Sequence, residues 1–177
     1  MNDVGSQSAG NQQNTLISRA MRLLSQRDHS EAELRRKLAA PPFMANARFG
    51  SKSPTEPPEE PVDPAIIEQV ISYCYQHNWL DDRRFANSFI GSRSRKGYGA
   101  QRIRSELMQK GVDKEIVQDA LAECEIDWCE QAREIALRKF GDPLPVEWKE
   151  KAKVLRYLLY RGFFQEEIQS IYRDFAQ

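Results

Sequence analysis

The sequence predicts an all-α protein whose nine helices form three tandem three-helix repeats, stacked into an elongated, curved solenoid. Three observations predict it. Apolar residues recur with a 3.6-residue period between clear start and stop signals, no segment alternates as a strand does, and the chain can be laid over itself in register.

The elements follow in order. Residues 1–14, MNDVGSQSAGNQQN, are small and polar and are expected to form a disordered tail. Thr15 opens a first helix that places Leu16, Ile17, Ala20, Met21 and Leu24 on one face. Ser30 and Glu33 form a capping box for a second. Residues 41–64 then hold seven of the nine prolines together with several acids, which excludes regular structure and predicts an insert. Asp63-Pro64 is an N-cap followed by proline at N1, opening a third helix on Ile66, Ile67, Val70, Ile71 and Cys74.

Asp81 caps a fourth helix, with Phe85, Ala86, Phe89 and Ile90 inward, that ends before Gly97. The fifth runs from Gly99 to Lys110, with Gly111 as its left-handed C′ residue. Asp113 caps a sixth, bearing Val117, Ala120 and Leu121. Asp127 and Glu130 start a seventh that ends at Gly141, and the eighth spans Glu147 to Arg161 with Gly162 after it. Ile168, Ile171, Tyr172 and Phe175 mark the ninth.

Aligning Gly111 with Gly162 sets Ile103 on Val154, Leu107 on Leu158, Lys110 on Arg161, Val112 on Phe163, Val117 on Ile168 and Ala120 on Ile171. Aligning Ser30 with Gly99 sets Leu34 on Ile103 and Leu38 on Leu107. The expected repeats are therefore 15–78, interrupted by the insert, then 79–125 and 126–177. Each is too small to bury a core of its own, which is why such units stack and present long concave surfaces.

The 177 residues carry 26 Lys+Arg and 26 Asp+Glu, a net charge of zero. The average conceals segregation. Residues 83–110 hold 8 bases and 1 acid, while 53–82 hold 7 acids and no base and 111–130 hold 7 acids and 1 base. Local field, not net charge, steers a polyanion. No apolar run approaches a membrane span and no signal peptide is visible, so a cytoplasmic location is expected, with no membrane partner. The three cysteines form no CxxC pair, and Cys74-x-x-His77 offers only two ligands where a closed metal site needs four, so neither metal nor cofactor is expected.

Catalysis is not expected either. The chain contains no GxxxxGK[ST], no GxGxxG after a strand and no HExxH, and nothing indicates a small-molecule substrate. The densest feature is Ser92 to Gly99, with Arg93, Arg95, Lys96 and Tyr98, continued by Arg102, Arg104 and Lys110. Cations, a ring and the backbone N–H groups at the start of the fifth helix suit phosphate oxygens and a base. The competing reading is that cations in a last turn offset the helix dipole and face water.

Ile103 and Leu107 as the buried stripe put Arg102 and Arg104 on opposite flanks. They grip different partners, or one pairs with Glu106 or with an acid of the neighbouring unit. Lys110 falls near the buried stripe and reads as a C-terminal cap. The rings of KVLRYLLYRGFF read mostly as core, with one or two left as anchors; Arg156, Tyr160 and Arg161 there, with Arg35 and Arg36 on the second helix, are the candidate partner anchors, since Tyr and Arg are enriched at interfaces.

The strings RDHSEAELRRKL (27–38), WLDDRRFA (79–86) and SRSRKGYG (92–99), with Ile103, Glu106, Leu107, Lys110, Gly111 and Val112 and the closing LLYRGF (158–163), resemble the RecX family of bacterial recombinase regulators, and within it the enterobacterial members. The resemblance implies an all-α, non-enzymatic protein of tandem three-helix repeats. It implies binding to RecA in the groove or at the end of its filament on single-stranded DNA, with inhibition of ATPase, strand-exchange and co-protease activities and an effect on repair and the SOS response. Carried over, the family's basic motif falls on Arg93, Arg95, Lys96, Gly97 and Gly99, with Arg102 nearby. The Arg93, Arg95 and Lys96 side chains are assigned to DNA phosphate or acidic RecA surface, and Tyr98 to stacking. The proline-rich insert departs from the family pattern, where this connection is commonly short. The alternative is a helical DNA-binding module that acts without RecA.

Overall fold

The computed structural model describes residues 4–40 and 61–173, and over these the chain is nine helices with no strand. They are α1 (Val4–Gln26), α2 (Glu31–Ala39), α3 (Pro64–Gln76), α4 (Asp82–Arg95), α5 (Ala100–Gln109), α6 (Lys114–Glu123), α7 (Trp128–Phe140), α8 (Trp148–Arg161) and α9 (Gln165–Arg173). Four of the helices carry the side-chain caps that the sequence predicts. Ser30, Asp63, Asp113 and Asp127 each accept a bond from a first-turn amide, at Glu33, Ala65, Glu115 and Glu130. Gly162 closes α8 at φ 94° and ψ 24°, a left-handed conformation open to glycine at little cost.

One expectation is corrected. Residues 4–14 are helical, not a disordered tail, and Thr15 does not start α1. Its hydroxyl donates to the Asn11 carbonyl one turn earlier, at 2.9 Å. Leu16 and Ala20 are packed against α3, and once that nucleus is docked each further turn adds a bond per residue fixed. The expected disorder of residues 1–3, the insert over 41–60 and Phe175 lie outside the described residues.

The chain divides into two compact units, residues 1–82 and 83–177. In the first, α1, α2 and α3 enclose Leu16, Ala20, Leu34, Leu38, Ile66, Ile67, Val70, Ile71 and Cys74. Leu80 belongs to this core, and the buried Asp82 carboxylate accepts the Glu31 amide at 2.7 Å, satisfying an amide of the first turn of α2 that Ser30 does not reach. Leu80 and Asp82, which the sequence reading places at the start of the second repeat, make these contacts within the first unit.

The second unit holds two cores. Phe85, Ala86, Ile90, Ile103, Leu107, Val112, Val117 and Ala120 fill the space between α4, α5 and α6. Ala132, Ile135, Ala136, Leu144, Val154, Leu158, Phe163, Ile168 and Ile171 do so for α7, α8 and α9. Aligned positions are buried alike: Leu34, Ile103 and Val154 are each fully inaccessible, as are Leu38, Leu107 and Leu158. The fold is an all-α tandem repeat.

Candidate functional site

The basic segment lies where the second core meets the third, inside the second unit, and its geometry starts with glycine. Gly99 is the N-cap of α5 and has no side chain with which to cap. Its amide donates to the Arg161 carbonyl at 2.9 Å, and the Gln101 amide donates to the Gly162 carbonyl at 3.0 Å. The amide-rich start of α5 is therefore joined to the carbonyl-rich end of α8, and each helix end satisfies the other. A Cβ on Gly99 would strike the Gly162 backbone, and one on Gly162 would strike Arg102. The sequence reading offered these amides to a phosphate; the fold has already occupied them.

Around this junction the side chains converge. Arg93 closes on the Glu106 carboxylate with Nε and Nη2, both at 2.7 Å, and Arg102 Nε reaches the same group at 3.0 Å. Burial alone would raise the Glu106 pKa. The two guanidiniums outweigh it and hold the carboxyl below its ordinary value, while Glu106 in turn raises Arg102. The Tyr98 ring has three guanidiniums about it, with the Cζ atoms of Arg93, Arg102 and Arg161 at 4.6, 4.3 and 5.2 Å from its centroid. Arg161 also donates from Nε to the Tyr157 hydroxyl at 3.2 Å and from Nη1 to the Lys96 carbonyl at 3.3 Å. Gly97, at φ 87°, is in a conformation that favours glycine and lies against the tip of the Ile135 side chain.

The predicted site residues thus divide. Arg93, Tyr98, Arg102 and Arg161 are engaged within the chain. Arg95 and Lys96 are exposed at the end of α4, and Arg104 is half-buried on the other flank of α5; among the described residues none of these three is in an ion pair. Lys110 sits in the last turn of α5 with its ammonium 5.7 Å from the Phe89 ring. Tyr160 is 76 % exposed, and Arg156 is exposed on the same helix. In the first unit Arg35 is held by Glu68 and by Glu31, at 2.7 and 2.8 Å, whereas Arg36 faces solvent. Sequence reasoning offered Glu106 only as one partner of one arginine and missed that it joins two; the i, i+4 spacing from Arg102 was the available signal.

Titratable chemistry elsewhere is structural. His29 is buried, its Nδ1 2.9 Å from the Arg27 carbonyl and its Nε2 2.8 Å from Lys37 Nζ, which fits a neutral ring protonated at Nδ1. Among the described residues no group of three or more His, Cys, Asp or Glu is placed to hold a metal ion, and no helix is long and apolar enough to cross a membrane.

Known proteins match this arrangement repeat by repeat. Family models match residues 17–40 as the first three-helix domain of RecX, 81–121 as the second and 125–171 as the third. A regulatory protein RecX from Serratia proteamaculans is 83 % identical over 167 residues, which is 93 % of this chain and 99 % of that protein. One from Yersinia enterocolitica is 70 % identical over the same shares. A crystal structure of regulatory protein RecX matches with a TM-score of 0.72 at 21 % identity, covering 96 % of this chain and 76 % of that one. The crystal structure of RecX from Lactobacillus salivarius matches at 0.73 with 18 % identity, covering 93 % and 97 %. These two support the fold, and the sequence matches decide the family. With its three cores, its two-helix junction and these matches in register, the chain belongs to the RecX family of regulatory proteins.

Proposed function

We propose that the chain is a non-catalytic, cytoplasmic regulator that binds RecA filaments on single-stranded DNA and lowers their ATPase, strand-exchange and co-protease activities, moderating recombination, repair and the SOS response. The observation that carries this reading is the basic surface of the second repeat. Arg95 and Lys96 are exposed and Arg104 is half-buried with no ion pair among the described residues, while Arg93 and Arg102 are committed to Glu106 and Tyr98. A rigid interior holds the outward cations at fixed spacing, which suits a repeating polyanion or an acidic protein surface. Membership of a regulatory family supports it.

Titrating the protein into RecA on single-stranded DNA while following ATP hydrolysis tests the proposal. Turnover should fall at near-stoichiometric ratios, and unchanged turnover and filament length would refute it. The second reading, a DNA-binding module acting without RecA, rests on the 8 bases against 1 acid of residues 83–110. It requires tight, salt-sensitive binding to naked DNA with no response to RecA.

A further inference from the structure

The ring assigned to stacking by resemblance, Tyr98, is engaged by guanidiniums, and a different ring stands open beside it. Arg102 lies between two tyrosines, its Cζ 4.3 Å from the Tyr98 centroid and 5.9 Å from that of Tyr160. Tyr98 is half-buried at the junction, whereas Tyr160 is 76 % exposed. Tyr160 also ends a stripe on α8. Lys149, Lys153, Arg156 and Tyr160 are spaced i, i+4, i+7 and i+11, so at about 100° per residue they share one face, and all four are exposed. The stripe is about 16 Å long at about 1.5 Å per residue. Its one acidic neighbour in the first turn, Glu150, is paired with Lys153 at 2.7 Å.

We infer that this face of α8 is a track for single-stranded nucleic acid, in which Tyr160 stacks on an unpaired base and Arg156 and Lys149 meet phosphates, with Lys153 between them held by Glu150. The chemistry selects the partner. A cation row alone would suit any acidic surface, but an open ring at the end of the row, with a guanidinium on its flank, matches a strand whose bases are unstacked and whose backbone is charged. A duplex keeps its base faces covered and offers Tyr160 nothing. The α8 track thus extends the basic surface of the second repeat onto the third, and this inference rests on the filament reading for the source of the strand.

Fluorescence anisotropy of a labelled oligo(dT), with the full chain and no RecA present, tests it. Tyr160→Ala should weaken binding about tenfold and Tyr160→Phe should retain it, while affinity for a blunt duplex is unchanged by either. Arg156→Ala with Lys149→Ala should weaken both ligands and flatten the salt dependence on oligo(dT) by about 0.7 in log–log slope for each phosphate no longer neutralised. Thermal melts that match the parent would show that the exposed positions leave the fold intact. The track is refuted if the parent does not bind oligo(dT) at low salt, if Tyr160→Ala binds it as the parent does, or if Tyr160→Phe is as weak as Tyr160→Ala. Running the RecA ATPase titration on the same variants separates the two readings. Tyr160→Ala that binds oligo(dT) normally but no longer inhibits would make Tyr160 a protein anchor, overturning the track and keeping the regulator; normal oligo(dT) dependence on Tyr160 with no inhibition by the parent would do the reverse.

Discussion

Gly99 and Gly162 face each other at the junction of the second and third repeats with no space for a methyl group between them, since a Cβ on Gly99 would strike the carbonyl of Gly162. Two helix ends from different repeats share their backbone bonds across that contact. The basic surface is built outward from it.

The first prediction concerns these glycines. Gly141 has φ 96° and ψ 170° with nothing within reach of a Cβ, so Gly141→Ala should cost only backbone strain, about 1–3 kcal/mol. Gly162→Ala, at φ 94° and ψ 24°, carries left-handed strain of about 1–2 kcal/mol and adds a clash with Arg102 of about 1–3 kcal/mol. Urea unfolding of the two variants beside the parent gives the comparison; equal losses would mean that the junction relaxes freely.

The second separates surface from scaffold. Arg95→Ala, Lys96→Ala and Arg104→Ala together remove cations that have no ion pair among the described residues, so the melting temperature should hold while inhibition of RecA falls severalfold or more. Arg93→Ala removes one of the two guanidiniums on Glu106 and a cation beside Tyr98, and should lower the melting temperature by several degrees. Melts and ATPase titrations on the same preparations distinguish the two effects.

A third prediction follows from Glu33. Burial opposes its charge, yet Arg27 and Lys37 hold its pKa down to about 2 from an ordinary 4.5. A carboxyl lowered on folding contributes stability that is complete above about 4.5 and is lost as the pH falls toward about 2. The acid limb of a melting-temperature profile between pH 5 and about 2 should therefore be shallower in Glu33→Gln than in the parent.

His29 gives the fourth, at higher pH. Desolvation lowers its pKa from 6.5, and Arg27 and Lys37 add to the effect while Glu33 opposes it. The folded state favours the neutral ring, so this contribution is present above 6.5 and is lost as the pH falls below it toward the lowered value. Stability should drop between pH 7.5 and 5.5, and Lys37→Met, which removes the ammonium facing Nε2, should reduce the drop.

Much of this was legible in the residues. The nine helices, their caps at Ser30, Asp63, Asp113 and Asp127, and the threefold register of Leu34, Ile103 and Val154 follow from local rules, because a cap and an apolar stripe are satisfied within a few residues of each other. The start of α1 was not legible. Residues 4–14 carry no signal of their own, and their helix depends on a nucleus docked further along.

By itself the sequence determined the all-α class, the repeat, the family and the position of the basic segment, since each is written in spacing or in order along the chain. Only the tertiary structure decided which cations face outward. Arg93 and Arg95 are two residues apart and look equivalent in sequence. One meets a carboxylate thirteen residues away and the other meets solvent, because Gly99 and Gly162 allow α5 and α8 to join end to end and draw Glu106, Tyr98 and Arg161 into one cluster. Long-range packing of this kind depends on which backbones can approach, and no local pattern encodes that.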